Sequence, residues 1–292
     1  MSRIAYVNGR YVPHRDAMVH VEDRGYQFAD GVYEVSAVRD GVVIDMEPHL
    51  DRLERSLREL SIARPMSRAA LAVVIREVVR RNRVRDGLFY LQITRGVARR
   101  DHAFPAAARP SVVVTARSVD PARAEAMARQ GVGVITVPDI RWERCDIKSV
   151  SLLPNVLAKQ QARAAGAYEA WLVDEAGRVT EGSSTNAWIV DRDGALVTRS
   201  IDNAILSGVT RAAVMELARL QQIRVVERSF TLDEAKAARE AFITSTTSYV
   251  LPVVSVDGAK IGNGRPGEVA RRLRELYAGY MAGQQDRRHA GR

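Results

Sequence analysis

Lysine is scarce in this chain, and one lysine lies in an unusual setting. Of the 44 lysine and arginine residues, only four are lysine: Lys148, Lys159, Lys236 and Lys260. Arginine stays protonated in proteins, whereas a desolvated lysine amine can lose its proton and attack a carbonyl carbon. Lys148 follows Arg144-Cys145-Asp146-Ile147, while the other three lie in helices or beside turns of ordinary composition. Lys148 is therefore the candidate catalytic amine, although most lysines in proteins are solvated surface charges.

An acidic residue followed by small hydroxyl residues lies 33 positions further along the chain. Glu181 opens the run Glu181-Gly182-Ser183-Ser184-Thr185-Asn186 at the start of a predicted strand. A carboxylate at this point would keep a heterocyclic nitrogen protonated. Runs of this kind also occur in turns whose serines satisfy local backbone donors. The residues alone leave both interpretations open.

Two hydroxyl-rich stretches in the same half of the chain are candidate phosphate sites. The stretch Leu206-Ser207-Gly208-Val209-Thr210-Arg211 places a glycine and two hydroxyls at the start of a predicted helix. Free backbone N–H groups and the positive end of the helix dipole attract a dianion there. The alternative is an ordinary helix capped by Ser207. The second stretch, Thr244-Ser245-Thr246-Thr247-Ser248, follows an apolar strand.

Together these groups meet the requirements of one cofactor. Pyridoxal 5'-phosphate needs a lysine for its aldehyde, an acid facing its pyridine nitrogen and a cluster of donors for its phosphate. The chain has no GxGxxG, P-loop, HExxH or GxSxG pattern. Its five histidines are scattered, which predicts no metal site. Cys145 has no flanking histidine, which favours inert packing over catalysis.

Composition and sequence patterns bear on the cellular compartment and on the expected binding partners of the protein. The net charge of +9 raises the possibility of nucleic-acid binding, but the arginines are spread over both halves and lack interleaved aromatic residues. We therefore expect no nucleic-acid partner. No apolar run approaches the roughly 18 residues of a membrane span, so we expect no membrane association. A single cysteine excludes an intrachain disulfide, and the N-terminus lacks a signal-peptide pattern, which predicts a cytoplasmic protein.

Hydrophobic patterns and turn signals predict an irregular mixture of strands and helices, which is typical of the α+β class. The length favours two domains. We expect a small N-terminal domain at 1–120 that carries the substrate-carboxylate residues, a connection at 121–131 and a larger cofactor-binding domain at 132–292. Helices are predicted to open at Pro48, after Ser67 and after Ser207, and Thr231 to Glu234 forms a capping box. The polar loop from Arg95 to Pro110 is long enough to be functional.

With these motifs in place, the chain resembles the class IV, fold type IV pyridoxal-phosphate aminotransferases, and among them the D-amino-acid aminotransferases. The resemblance covers Tyr6 to about Tyr280. It is carried by the stretches Ile140–Ser149, Val179–Ser184, Asp30–Val35 and His49–Leu53. It implies a small N-terminal α/β domain and a larger C-terminal domain with a barrel-like sheet. It also implies that Lys148 is the Schiff-base lysine and that Glu181 is the partner of the pyridine nitrogen.

The resemblance assigns the remaining site residues as well. It implies that Arg52, Val209, Thr210 and Thr246 hold the phosphate and that Leu206 braces the ring. D-amino-acid aminotransferases bind the substrate α-carboxylate with a tyrosine and an Arg-x-His pair, and Tyr33, Arg100 and His102 stand at the matching positions. In this family the loop with the Arg-x-His pair reaches the site of a second subunit. We therefore expect a homodimer with shared active sites.

The expected reaction is transfer of an amino group between a D-amino acid, such as D-alanine, and a 2-oxo acid, such as 2-oxoglutarate. The alternatives on the same scaffold are a branched-chain L-aminotransferase, an aminodeoxychorismate lyase and an (R)-amine transaminase. A non-enzymatic basic binding protein is a further alternative. Arg99 and Asp101 place extra charges around the Arg-x-His pair, so the preferred substrate side chain stays open.

Overall fold

Strands and helices are mixed irregularly along the chain, with runs of consecutive strands and no repeating unit, which confirms the α+β class. The computed structural model describes residues 3–290. Its strands are β1 (Ile4–Val7), β2 (Arg10–Pro13), β3 (Gly31–Arg39), β4 (Val42–Val43), β5 (Gly87–Thr94), β6 (Ser111–Ser118), β7 (Val132–Pro138), β8 (Glu169–Val173), β9 (Arg178–Gly182), β10 (Asn186–Val190), β11 (Leu196–Thr198), β12 (Val225–Glu227), β13 (Phe230–Thr231), β14 (Glu240–Ser245), β15 (Tyr249–Val256) and β16 (Ala259–Lys260). Its helices are α1 (Arg24–Phe28), α2 (Met46–Glu59), α3 (Arg68–Arg81), α4 (Pro121–Gln130), α5 (Leu153–Ala164), α6 (Val209–Leu220), α7 (Leu232–Lys236) and α8 (Glu268–Ala290), with a 3-10 turn at His14–Asp16.

Contacts between residues group the chain into two units. Unit 1 runs up to Pro121 and also takes Ile147–Ser151 and the residues from Gln284 onward. Unit 2 comprises Ala122–Asp146 and Leu152–Gly283. The short segment that carries Lys148 therefore belongs to unit 1, although it lies far along the sequence. The expected domain boundaries at 120 and 132 stay a prediction, because contact grouping does not show which segments fold independently.

Unit 1 is built on an antiparallel sheet with the strand order β2-β1-β6-β5-β3-β4. Strands β3 and β5 pair along their length, from Gly31 opposite Thr94 to Val38 opposite Gly87. Apolar side chains of this sheet and of α2 and α3 form one core. Its members on the two helices include Leu50, Leu53, Leu57, Leu71, Ile75 and Val78. The leucine stripe of α2 therefore faces the sheet, as its spacing predicts.

A side-chain cap and a proline explain where helices α3 and α2 begin. Ser67 caps α3, since its hydroxyl accepts a hydrogen bond from the Ala70 N–H at 3.2 Å, as predicted. Helix α2 begins at Met46, two residues before the predicted start at Pro48. A proline fits in the first turn because the N–H groups there have no partner within the helix.

Unit 2 contains a larger mixed sheet. Its strands follow the order β12-β11-β10-β14-β15-β7-β8-β9-β13, with β16 paired to β15. Strand β7 is parallel to both β8 and β15, and β11 is parallel to β12. Large aromatic side chains fill its interior, including the stacked pair Trp188 and Phe242 at 5.4 Å between ring centroids. This core positions the ends of β9, β10 and β14, where several predicted site residues lie.

Helix α7 confirms the predicted capping box. The Thr231 hydroxyl accepts from the Glu234 N–H at 3.1 Å, and the Glu234 carboxylate accepts from the Thr231 N–H at 2.8 Å. The short elements α1, β11, β12 and β13 and the 3-10 turn at His14–Asp16 were not predicted. Within residues 3–290, no helix combines the length and the apolar character that crossing a bilayer requires.

We expect Thr231→Ala to lower the free energy of unfolding by about 1 kcal/mol, because it removes the oxygen that caps α7. Urea unfolding followed by circular dichroism measures this difference. Ser118→Ala is the control, since Ser118 is exposed at the end of β6 and caps no helix. Equal stability of Thr231→Ala and the wild type would contradict the role of the cap.

Candidate active site

Backbone pairing with the start of β3 holds the segment that carries Lys148. The Tyr33 N–H donates to the Lys148 carbonyl oxygen at 3.0 Å, next to an antiparallel bridge between the two segments. The Lys148 N–H donates to the hydroxyl of Ser56 on α2 at 3.3 Å. Ile147 is buried in the core of unit 1. The backbone of Lys148 is therefore fixed on both sides.

The Lys148 amine lies against an aromatic ring. Its Nζ is 4.3 Å from the centroid of the Tyr33 ring. Within residues 3–290, no carboxylate lies within ion-pair distance of this amine. The Tyr33 ring stacks on Tyr90 at 5.6 Å. Burial raises the pKa of Tyr90 to about 12, so its hydroxyl stays protonated and donates to Gln92 Oε1 at 2.7 Å.

Arg52, a predicted phosphate residue, is held by a buried carboxylate. Glu34 accepts two hydrogen bonds from the Arg52 guanidinium, from Nε and from Nη2, each at 2.8 Å. The Nδ1 atom of His49 is 2.7 Å from Glu34 Oε2. The paired fork fixes the orientation of the guanidinium. The role of Arg52 toward a phosphate stays a prediction.

Pairing with Arg52 keeps the buried Glu34 carboxylate ionised. Burial works to raise the pKa of Glu34, but the charge of Arg52 and the hydrogen bonds from Arg52 and His49 outweigh it and lower the pKa to about 2. Burial lowers the pKa of His49. An ionised carboxylate only accepts hydrogen bonds, so the neutral His49 ring donates its Nδ1 proton to Glu34.

In unit 2, both oxygens of the Glu181 carboxylate have partners. Oε1 accepts from Nη1 of Arg141 at 2.5 Å. Oε2 accepts from Nδ2 of Asn186 at 3.0 Å and from the Leu206 N–H at 3.2 Å. Glu181 is buried, with 6% of its surface exposed. These donors come from three different segments and hold the carboxylate in one orientation.

Arg141 is itself held by a second acid. Asp139 accepts from Nε at 2.9 Å and from Nη2 at 2.8 Å, and the hydroxyl of Thr180 donates to Asp139 Oδ2 at 2.7 Å. Burial works to lower the pKa of Arg141, but its hydrogen bonds to Asp139 and the charges of Glu181 and Asp139 outweigh it and raise the pKa. Arg141 was not among the site residues predicted from the sequence. Its position in the matched stretch Ile140–Ser149 was the available signal.

The N-terminus of α6 lies beside the partners of Glu181. The prediction that Ser207 is the N-cap of this helix is wrong, because the N-cap residue is Gly208, which has no side chain. A Cβ atom at position 208 would lie 2.0 Å from Asn186 Oδ1. Only glycine therefore lets the helix start approach Asn186 so closely. Asn186 also donates to the Leu206 carbonyl oxygen at 3.0 Å, which ties the loop before the helix to Glu181.

The predicted phosphate residues of unit 2 lie on neighbouring elements. Val209 and Thr210 are the first two residues of α6 and are buried. Thr246 follows β14 and is half-buried, two residues after Thr244, which pairs with Asn186 on β10. The hydroxyl of Thr185, next to Asn186, is buried and has no hydrogen-bond partner within the described residues.

The predicted substrate residues Arg100 and His102 both contact Phe28 in unit 1. The Arg100 guanidinium lies 4.7 Å from the centroid of the Phe28 ring, and the His102 ring lies 5.4 Å from it. Both side chains are exposed. Among residues 3–290, no hydrogen bond or ring contact joins either of them to Tyr33.

The structure thus assembles the predicted site in three groups. Lys148 lies with Tyr33, and Arg100 lies with His102, all in unit 1. Glu181 lies with Leu206 and the start of α6 in unit 2. The arrangement of Lys148 relative to Glu181 stays a prediction, because the two residues belong to different units.

Comparison with solved structures defines the class of the fold. The branched-chain amino acid aminotransferase of Escherichia coli superposes with a TM-score of 0.89 at 26% identity, covering 96% of this chain and 95% of that chain. The branched-chain aminotransferase of the thermophilic archaeon Thermoproteus uzoniensis, solved with norvaline, superposes with a TM-score of 0.86 at 26% identity, covering 98% and 97%. The expected fold type IV architecture, with its curled larger sheet, is confirmed.

Comparison of sequences defines the family. Residues 31–256 match the model of the family described as amino-transferase class IV. The D-alanine aminotransferase of Bacillus licheniformis is 42% identical over 266 residues, which cover 91% of this chain and 93% of the relative. That of Listeria monocytogenes is 40% identical over 272 residues, which cover 93% of both. The chain belongs to the class IV aminotransferases and is a pyridoxal-phosphate-dependent enzyme.

The residues present fit this cofactor. Unit 2 has an unpaired buried hydroxyl at Thr185, within the part of the chain that is described, and a helix start whose N-cap is the glycine Gly208, both beside Asn186. Helix starts of this kind bind phosphate groups. Unit 1 has an amine at Lys148 that no carboxylate neutralises within the described residues. These protein groups therefore suit a ligand that carries both a phosphate group and a carbonyl group.

We expect Glu34→Gln to reduce stability near neutral pH and to flatten its dependence on acid. A carboxylate whose folded pKa is lowered stabilises the fold above its ordinary pKa of 4.5, and this contribution is lost as the pH falls toward about 2. Thermal unfolding between about pH 3 and 7 measures both effects. The control is Glu77→Gln, which removes an exposed carboxylate with a similarly lowered pKa of about 2. Solvent screens such a pair, so a larger effect at Glu77 than at Glu34 would contradict the account.

Proposed function

We propose that this enzyme is a D-amino-acid transaminase that moves the amino group of a D-amino acid, such as D-alanine, to a 2-oxo acid, such as 2-oxoglutarate. The observation that carries the proposal is the contact between Lys148 and Tyr33, because it joins the predicted catalytic amine to a predicted carboxylate-binding phenol. The identity of 38–42% with D-alanine aminotransferases over more than nine-tenths of the chain supports the same choice. The structural likeness to branched-chain aminotransferases favours a branched-chain L-amino acid as the second candidate substrate.

Each predicted cofactor residue receives a role in this proposal. Lys148 supplies the amine that carries the cofactor, and Glu181 faces the pyridine nitrogen with its orientation fixed by Arg141. Leu206 braces the ring. The phosphate is held by the side chain of Arg52, by the start of α6 and by the turn after β14; the residues concerned are Arg52, Val209, Thr210 and Thr246.

When bound, pyridoxal 5'-phosphate supplies an aldehyde for the substrate amine and a ring that withdraws electrons from the substrate α-carbon. The chain supplies the proton transfers. Nζ of Lys148 takes the proton from the α-carbon of the amino acid and later returns one to the 2-oxo acid carbon. Tyr33 limits the positions open to this amine, since its ring lies under Nζ. The Glu181 carboxylate accepts a hydrogen bond from a protonated ring nitrogen.

Three side chains are proposed to bind the substrate α-carboxylate. Arg100 offers a charged fork, while Tyr33 and His102 each offer one further donor. Lys148 exchanges the proton on one face of the substrate, so the side of the cofactor on which the carboxylate is held decides between D and L amino acids. Asp101, between Arg100 and His102, is exposed, and its carboxylate accepts a hydrogen bond from the Ala103 N–H at 3.1 Å.

We propose that the enzyme acts as a homodimer with shared active sites in the cytoplasm. Large apolar side chains are exposed around the loop of Arg100 in unit 1: Met18, Val19, Val21, Tyr26, Val97 and Phe104. Exposed apolar groups of this number are typical of a surface that a second subunit covers. The single cysteine fits a reducing compartment.

We expect Lys148→Ala to abolish the visible absorbance of the bound cofactor and to lower the transamination rate by about 10²–10⁴-fold or more, because the proton-transferring amine is lost. Absorbance spectra and pyruvate formation from D-alanine measure the two effects. Lys260→Ala, at an exposed position, is the matched control and keeps both. Multiple turnovers by Lys148→Ala would reject the assignment of the amine.

We expect Arg100→Ala to raise the KM for D-alanine by about 10- to 100-fold, because a charge-assisted bond to the carboxylate is lost. The cofactor absorbance is retained, since Arg100 is not assigned to the cofactor. Arg99→Ala removes the neighbouring exposed arginine and serves as control. If both variants had the same KM as the wild type, another residue would bind the carboxylate.

A further inference from the structure

The loop that carries Arg100 and His102 is tied to helix α1 at its start. The Arg24 N–H donates to the Gly96 carbonyl oxygen at 2.9 Å, and the Ala98 N–H donates to the Glu22 carbonyl oxygen at 3.3 Å. Asp23, between them, forms a bridge with Val97. The first residues of the loop therefore run as a short extension beside the N-terminal end of α1.

The side chain of Arg24 reaches the segment Arg100–His102, which is proposed to bind the substrate carboxylate. Its Nη1 donates to the Asp101 carbonyl oxygen at 2.6 Å, and its Nη2 donates to the His102 carbonyl oxygen at 3.4 Å. Its Nε donates to Asp30 at 2.8 Å. Only 3% of the side chain is exposed. The buried guanidinium of Arg24 thus holds the backbone at Asp101, between the two members of the pair, and at His102 itself.

Asp30 anchors this guanidinium. It also accepts from Nε and Nη2 of Arg95 at 2.7 and 3.0 Å, and Arg95 donates in turn to the carbonyl oxygens of Leu60 and Ser61. Burial works to raise the pKa of Asp30, but hydrogen bonds and charges from Arg95 and Arg24 outweigh it and lower the pKa. The carboxylate is therefore ionised near neutral pH, and it connects Arg24 to the end of α2.

Helix α1 presents a second group to the same loop. The ring of Phe28, one turn after Arg24, has the Arg24 guanidinium 4.8 Å from its centroid and the Arg100 guanidinium 4.7 Å from it. The His102 ring also contacts it at 5.4 Å. Arg24 thus holds the backbone of the pair, while Phe28 supports its two side chains.

We propose that Arg24, with Phe28, is the positioning residue that sets the geometry of the Arg100–His102 pair for the substrate carboxylate. The inference deepens the proposed function and rests on it. Arg24 is buried and its donors are engaged by Asp30, Asp101 and His102, so it acts on substrate binding through the loop. A guanidinium is required, because a lysine ammonium can keep the ion pair with Asp30 but lacks the fork that reaches two carbonyl oxygens.

The test uses the cofactor-loaded enzyme and the variant Arg24→Lys. We expect amide hydrogen exchange in residues 97–104, measured without substrate, to accelerate by about tenfold or more, because two charge-assisted bonds to the backbone are lost. We expect the KM for D-alanine to rise by about tenfold while kcat changes by less than about twofold, as for a group that affects binding rather than proton transfer. The cofactor absorbance stays unchanged.

The control is Arg274→Lys in unit 2, which has the same bonding pattern away from the loop. Arg274 donates to the carbonyl oxygens of Ser248 and Val250 at 2.9 and 2.8 Å and to Glu125 at 2.7 Å. Its replacement leaves exchange in residues 97–104 at the wild-type rate. A general loss of rigidity in both variants would overturn the proposal.

Phe28→Leu provides a second test that keeps the buried charges. It removes the ring under Arg100 and His102, so the KM for D-alanine rises while the stability changes little. Unchanged KM in both Arg24→Lys and Phe28→Leu overturns the positioning role, even if exchange in the loop increases. If instead the wild type fails to use D-alanine, the proposed function is wrong for a reason separate from Arg24.

Discussion

The pairing of buried carboxylates with arginine is the constraint on which the site depends. An unpaired buried charge is costly, and a guanidinium can satisfy both oxygens of a carboxylate at once. Three such pairings involve predicted or proposed site residues: the buried Glu34 with Arg52, the buried Glu181 with Arg141, and the half-buried Asp30 with both Arg24 and Arg95. The pairs made by Arg141 and Arg95 link residues 40 and 65 positions apart in the sequence. The carboxylates are thereby fixed in orientation before any ligand binds.

The same constraint favours arginine over lysine at these three pairings. Arginine serves structural pairing better, because it stays charged and forms forked hydrogen bonds. Lys148 is held instead by its backbone, through Tyr33 and Ser56, and its amine has no carboxylate partner within the described residues. An amine that is not engaged in pairing can take part in proton transfer. Arginine therefore serves in the ion pairs, whereas the Lys148 amine is available for the predicted proton transfer.

Much of the fold followed from local signals in the sequence. Hydrophobic spacing, turn residues and caps predicted most strands and helices, and the caps at Ser67 and Thr231 were predicted correctly. Ser207 was predicted wrongly as a cap because the close approach of Gly208 to Asn186 depends on a strand more than 20 residues earlier. Helix α1 has only five residues, too few for a periodic pattern. Asp23 was its available signal, since its side chain accepts from the Gly25 N–H.

The predicted site residues came from motif spacing, and their supporting residues did not. Glu181 and Lys148 lie in short matched stretches, whereas Arg141 lies 40 residues before Glu181, and Arg24 lies 77 residues before Asp101. No local sequence pattern predicts which arginine will bind which carboxylate or carbonyl oxygen in the folded chain. The arrangement of unit 1 residues relative to unit 2 residues in the site is likewise a prediction from the family.

The most direct test of the central claim is a single-turnover measurement on the cofactor-loaded enzyme with D-alanine, L-leucine and an (R)-amine in separate experiments. Absorbance spectra follow the conversion of the bound cofactor to its pyridoxamine form. We expect rapid conversion by D-alanine and much slower conversion by the other two compounds, because the substrate carboxylate must be present and held on one side of the cofactor. Rapid conversion by L-leucine with little reaction of D-alanine would contradict the proposed D-amino-acid specificity and favour branched-chain transamination.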